Sequence, residues 1–176
     1  MRMHTVIGDR PEIEYLAGRP VPKMSPQLNH GLVQYAAATI LRRCAQERGY
    51  VAPEWRFRLA PVLHTRTSLV PDVAFLLHER RNALDLRHRQ EPTIAPDIVV
   101  EVRSPSLRLA DLEWKVKAYM EAGSLLVLDV DPARRRVRAI ARDGVRFYGC
   151  GDDFEHDAVP WLRFKVAELF ADLETP

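Results

Sequence analysis

The chain is poor in cysteine, in lysine and in long apolar runs, and each shortage excludes something. Its 176 residues contain two cysteines, Cys44 and Cys150, far apart and outside any CxxC or Cys/His cluster. That spacing excludes a structural zinc site, and no disulfide is expected in a reducing compartment. No stretch of 18 uncharged apolar residues occurs, which excludes a transmembrane helix. Residues 1–10 are polar and mixed and lack the apolar segment of a signal peptide, so the cytoplasm is the expected location. Only four of the 26 basic residues are lysine (Lys23, Lys115, Lys117 and Lys165) and the rest are arginine. Arginine forks suit phosphate and carboxylate. They are spread along the whole chain, however, and read first as a compositional bias. A net charge of +2 does not by itself imply nucleic acid.

What is present is an ordinary globular composition, 47% apolar and 28% charged, in a length that suits one domain over residues 1–176. Residues 12–22 alternate around Ala17-Gly18 and read as a small hairpin. Met24-Ser25-Pro26 supplies a cap and a first-turn proline for a helix running to about Arg48, with Gly49 as its stop. Leu32, Tyr35, Ala36, Thr39, Ile40 and Arg43 fall at helical spacing and make its expected inner stripe. Trp55, Phe57 and Leu59 alternate with Arg56 and Arg58, as in a strand with one wet face. Residues 78–92 show no periodicity and read as a surface loop. Residues 98–102 are β-branched and short, the pattern of a central strand. A second helix is expected over residues 110–122, ended by Gly123, with Leu109, Leu112, Val116, Tyr119 and Met120 as its apolar stripe. Strands over 125–130, 137–141 and 145–148 and a short apolar element over 162–170 complete a mixed α/β sheet flanked by helices.

Two acids interrupt the apolar strands. Asp72 breaks the run over 69–77, and Glu101 breaks the run over 98–102. A desolvated carboxylate needs a partner. A hard cation is one solution, and an arginine or an exposed strand edge is another. Asp97 lies four residues before Glu101, about 13 Å away at strand rise, too far for both to hold one ion. Asp72, on a neighbouring strand, can approach Glu101. Lys115 and Lys117 follow on the next helix, and periodicity alone does not choose between them as a basic partner.

Pro71-Asp72-Val73, the run from Pro96-Asp97 through Glu101 to Ser106, and Asp111-Leu112 with Lys115, Tyr119 and Gly123 together resemble the Uma-type endonuclease family of the restriction-endonuclease-like, PD-(D/E)XK superfamily. The resemblance extends to Glu14 and Gly18, to Met24-Ser25-Pro26 with His30, to Asp129-Val130-Asp131-Pro132 and to residues 162–170, so it covers nearly the whole chain. It implies a restriction-endonuclease-like core with Mg²⁺ or Mn²⁺ held by Asp72, Glu101 and the backbone carbonyl of Val102. It selects Lys115, four residues before the helix tyrosine, as the catalytic lysine. Glu14 and His30 are implied as additional site residues, DNA as the partner, and a homodimer as an assembly. One departure concerns Arg103, which stands where the superfamily motif has lysine and shares a strand face with Glu101. Two roles stay open for it, phosphate contact or neutralisation of Glu101.

The leading expectation is therefore metal-dependent hydrolysis of a DNA phosphodiester. The alternatives are a degenerate nuclease-like domain that binds nucleic acid or a protein without cutting, favoured by Arg103, and a purely structural role, which leaves the buried acids unexplained. The basic residues over 78–89 could track phosphates, and Arg134-Arg135-Arg136 reads as solvent-exposed.

Overall fold

A computed structural model describes residues 12–23, 27–59 and 67–174. The proposed helix cap at residues 24–26 lies outside them. The chain opens with the expected hairpin, β1 (Ile13–Leu16) and β2 (Arg19–Pro22), antiparallel through Ala17 and Gly18. Both turn residues have positive φ, 50° and 75°, the conformation a two-residue hairpin requires and glycine supplies. Helix α1 (Leu28–Ala45) follows, then β3 (Gly49–Pro53), β4 (Val73–Leu77), α2 (His78–Asn82), β5 (Ile98–Val102), α3 (Leu109–Glu121), β6 (Leu126–Asp131), β7 (Arg136–Ala141) and β8 (Gly144–Gly149). Two short strands, β9 (Asp153–Phe154) and β10 (Phe164–Lys165), pair with each other before a closing 3₁₀ turn.

Strands β3 to β8 form one six-stranded sheet in chain order. Every pairing is antiparallel except β5 with β6, and α3 makes the crossover that a parallel pair needs. Side chains alternate between two cores. On one face Val33, Ala37, Ile40 and Leu41 of α1 and the C-terminal Leu162 and Phe164 cover Phe75, Val100 and Leu128. On the other, Leu112, Val116 and Tyr119 of α3, with Leu16, Phe57 and Leu69, cover Ala74, Val99 and Val127. The alternation places Glu101 on the α3 face. In the antiparallel register Val73 faces Val100, so one step further sets Asp72 opposite Glu101. In the parallel register Glu101 faces Asp129. Three carboxylates thus stand side by side on three adjacent strands.

Several local expectations are corrected. Helix α1 ends at Ala45, because the chain turns at Gln46, where φ is 52° and the N–H returns to the Arg42 carbonyl. Its buried side is Val33, Gln34, Ala37, Ile40, Leu41 and Ala45, while Tyr35 is exposed. The proposed stripe shares only Ile40 with it, since apolar residues on both sides of this helix offer two competing stripes. Trp55, Phe57 and Leu59 form no strand. Glu54, at φ 50°, breaks the extended chain after Pro53, and Phe57 makes a single bridge to Leu69. Residues 78–92 contain α2 and a 3₁₀ turn at Leu86–His88. Helix α3 and Gly123, at φ 101°, agree with expectation, although Leu109 is exposed.

Gly49 stops no helix. It begins β3, where a Cβ would stand 2.3 Å from the Leu76 carbonyl oxygen and 2.7 Å from the Phe75 ring. Backbone cannot yield as a flexible side chain can. Gly49→Ala is therefore expected to destabilise the fold by about 1–3 kcal/mol, the usual range for overpacking. Urea unfolding of wild type and variant measures this, and equal midpoints would show that the sheet tolerates the methyl group.

Candidate active site

The site forms where the ends of β4 and β5 meet β1, the chain after β2, and α3. It lines a cavity of about 270 Å³ that includes Glu14, Lys23, His30, Asp72, Glu101, Val102 and Lys115, with Arg19, Ser106 and Arg108 at its exposed end. Glu14, Asp72, Glu101 and Lys115 are all buried. The sequence-derived residues Asp72, Glu101, Val102, Lys115, Glu14 and His30 are therefore brought together, and Arg103 is not among the residues that line the cavity.

Asp72 is held from three directions. The Val102 N–H donates to its Oδ2 at 2.7 Å, His30 Nε2 lies 3.2 Å from the same oxygen, and Lys23 Nζ lies 3.0 Å from Oδ1. An ionised carboxylate only accepts, so a His30 proton sits on Nε2, while Nδ1 is buried without a partner among the described residues. Burial pushes the Asp72 carboxyl up. The hydrogen bond from His30 and the charges of Lys23, His30 and Lys115 outweigh it and hold the group below the ordinary carboxylate range. The His30 imidazole in turn is raised: burial opposes its charge, and Asp72 favours it more.

Glu101 is bracketed by α3. Lys115 Nζ donates to Oε2 at 2.7 Å, and the Tyr119 hydroxyl donates to Oε1 at 2.9 Å. These two donors are four residues apart on one helical face, which is the spacing that stacks side chains. Lys115 also lies 3.0 Å from Glu14, whose Oε1 accepts the Val70 N–H at 2.8 Å. Burial pushes the Glu101 carboxyl up to about 7, with Asp72 and Glu14 adding to the rise against the pull of Lys115. Burial pulls the Lys115 ammonium down, yet the charges of Glu101, Glu14 and Asp72 outweigh it and hold the group firmly protonated.

Lys23, Glu54 and Gln34 complete the cluster, and sequence reasoning missed all three. Lys23 pairs with Glu54 at 2.6 Å, and Gln34 donates to Glu54 at 2.6 Å and to the Asp72 carbonyl at 2.9 Å. The scarcity of lysine was a usable signal for Lys23, but Glu54 and Gln34 carried none. Asp129 and Asp131 belong to β6; Asp129 already lay in the strand expected over 125–130, and the logic that singled out Glu101 applied to it equally.

Arg103 does share the α3 face with Glu101, but it is turned to β6. Its Nε and Nη2 grip Asp129 at 2.7 and 2.6 Å, and Nη1 reaches Asp131 at 3.5 Å. Arg138, the register partner of Asp129, adds a bond at 2.8 Å. Neutralisation of Glu101 falls to Lys115. Asp97 is likewise placed away from the cavity, accepting the Leu77 N–H and pairing with Arg80. Of the arginines over 78–89, Arg80 pairs with Asp97, Arg81 stacks over Tyr50 and Arg89 donates to the carbonyls of Asn82 and Leu84. Arg134 and Arg135 are tied to Asp131 and to C-terminal carbonyls.

The donor set can be tested against a divalent cation. Among the described residues no three His, Cys, Asp or Glu side chains converge closely enough to hold a metal alone. The carboxylates of Asp72 and Glu101 line the cavity beside Val102, and carboxylate oxygens are the hard donors that Mg²⁺ and Mn²⁺ prefer. The charges favour a cation too. Among the described residues Glu14, Glu54, Asp72 and Glu101 face two ammonium groups, Lys23 and Lys115, and one imidazole, His30, so with Glu101 ionised the cluster stays net negative whether or not His30 carries a second proton. The residues fit the ion in chemistry and in charge.

Among the described residues, no helix is long and apolar enough to cross a membrane. No curated protein matches the chain. A crystal structure described as that of "a putative nuclease belonging to DUF820" from Anabaena variabilis is similar in fold, with a TM-score of 0.78 at 18% identity over 92% of this chain and 90% of that one. The architecture is thus that of a restriction-endonuclease-like fold. Residues 2–164 match the Uma2 family model, described as "Putative restriction endonuclease", and the chain belongs to that family.

Proposed function

We propose that the protein is a metal-dependent endonuclease that hydrolyses DNA phosphodiester bonds at the Asp72–Glu101 cavity. The observation that carries this reading is the charge imbalance: a cluster of acids at the end of adjacent strands, open to a cavity, that stays net negative once Glu101 is ionised. Asp72, Glu101 and the Val102 carbonyl would hold the cation. Bound there, Mg²⁺ or Mn²⁺ supplies Lewis acidity, polarising a phosphoryl oxygen and lowering the pKa of a nearby water.

The protein's own groups do the rest. Lys115 keeps its proton because three carboxylates surround it, so it remains a fixed positive charge beside the cation's ligands. A charge set in place before the reaction stabilises the phosphorane-like transition state without reorganisation. Tyr119 fixes one Glu101 oxygen and Lys115 the other. His30 and the Val102 N–H orient Asp72. Glu14 anchors Lys115 from the opposite side while its own position is set by the Val70 N–H. The arginine that favoured a non-cutting domain is occupied by Asp129, which removes the feature behind that alternative.

A plasmid-nicking assay tests the proposal. Wild type is expected to nick with Mg²⁺ or Mn²⁺ and to stop in chelator, with Asp72→Ala abolishing and Lys115→Ala lowering the rate about 100-fold or more. Undiminished nicking in chelator would rule out the metal mechanism. A second expectation concerns pH. A ligand carboxyl must lose its proton to bind a cation, and that of Glu101 stands near 7. Protons therefore compete below that value and not above it, so Mn²⁺ affinity should rise about tenfold from about pH 6 to about pH 8 and then level off. Calorimetric titration across this range reads it. A flat profile in wild type would mean that Glu101 is not a ligand.

A further inference from the structure

Lys23 lines the cavity and has no part in the mechanism above. It leaves the end of β2 and turns its ammonium inward, 15% exposed. An ammonium has three N–H donors. Three oxygens receive them: Glu54 Oε2 at 2.6 Å, the Val70 carbonyl at 2.7 Å and Asp72 Oδ1 at 3.0 Å. A cation in a cage of carboxylate and carbonyl oxygens is the arrangement of a metal site, with a lysine in the place of the ion. The Asp72 contact is the longest of the three. The other two acceptors lie outside the Asp72–Glu101 pair, and Gln34 holds Glu54 in place through its Oε1.

We propose that Lys23 is a positioning residue of this site: a tethered counter-cation that holds Asp72 while the site is empty and exchanges with the divalent ion on loading. This rests on the metal site proposed above. Two cations cannot share one Asp72 oxygen at close range, because their repulsion in a low-dielectric cavity is strong. The exchange is nonetheless gentle for the lysine. When Asp72 is surrendered, Glu54 and the Val70 carbonyl still receive two of its three donors, so the ammonium stays paired. The lysine then gives up only its longest contact. The device keeps the Asp72 carboxylate ionised and oriented at all times, which spares the protein a buried unpaired charge before the metal arrives.

Calorimetric titration of the full chain with MnCl₂ in about 0.15 M salt tests the exchange, with circular dichroism to verify folding. Lys23→Gln removes the competing charge and keeps hydrogen-bonding capacity, so it should bind Mn²⁺ at least about tenfold more tightly than wild type. A lysine that merely braces the fold would leave the affinity unchanged or lower it, and either result overturns the proposal. Lys23→Arg keeps the charge and guards against a folding failure in the first variant. Its fork grips carboxylates bidentately and releases them less readily, so weaker Mn²⁺ binding is expected, and equal or tighter binding overturns the exchange. Binding by wild type without tightening in Lys23→Gln sinks the exchange alone. Binding by neither protein sinks the metal site as well.

Discussion

Four buried or half-buried carboxylates, Glu14, Glu54, Asp72 and Glu101, share two lysines, and the surrounding fold is arranged around that shortfall. Burying a charge without a partner is costly, so each acid is given a specific escort from a different element. The hairpin contributes Glu14, the chain after it Lys23, α1 His30 and Gln34, and α3 Lys115 and Tyr119. The electrostatic consequences follow from position within the cluster. Asp72 has two cationic neighbours and an N–H, and is driven toward ionisation. Glu101 is driven toward the neutral form by its burial, which two neighbouring acids reinforce and Lys115 opposes. Two carboxylates that stand opposite each other on adjacent strands are therefore set well apart in acidity.

That placement depends on the sheet more than on the cavity. The β4–β5 antiparallel register brings Asp72 to Glu101, and the parallel β5–β6 register brings Glu101 to Asp129. A slip of one residue in either strand would turn its acid into the α1 core. The apolar neighbours Val73, Val100 and Val102, buried against α1 on the other face, fix the register and thereby the site. The crossover helix that makes the parallel pairing possible also carries Lys115 and Tyr119 to the same face. Fold and site share their determinants here.

The legible part of this arrangement in the sequence was what has a local period. The β-branched run around Glu101, the Ala17-Gly18 turn and the α3 helix ending at Gly123 are short-range patterns, and they appear as expected. Asp72 and Glu101 stood out because an acid in an apolar run violates the burial rule wherever it occurs. The choice of Lys115 over Lys117 came from resemblance, and the structure pairs Lys117 with Glu121 on the outer surface. The illegible parts were long-range. Nothing local tells that Lys23 reaches Asp72 across 49 positions, or that Gln34 bonds the Asp72 backbone. The α1 stripe was misplaced because apolar residues on both sides of the helix allow two phases, and only contact with the C-terminal segment selects one. Gly49 was misread because the close approach of Leu76 is a sheet contact, invisible to a reading of the chain as a helix terminator.

The division of labour between arginine and lysine gives the sharpest reading of the composition. Asp129 faces the same burial problem as Glu101, one strand away, and is solved by Arg103 and Arg138 gripping it from two sides. Arginine cannot lose its proton and binds a carboxylate through a rigid fork, so that solution is permanent. Glu101 and Asp72 receive lysines instead, compact point charges on flexible stems. Of the chain's four lysines, Lys117 lies on the outer face of α3 and Lys165 caps the last turn, which leaves the other two in the cavity. The bias toward arginine, uninformative by itself, thus makes the placement of the few lysines informative: arginine pairs hold the acids of the sheet, and lysines pair with the acids that face the cavity.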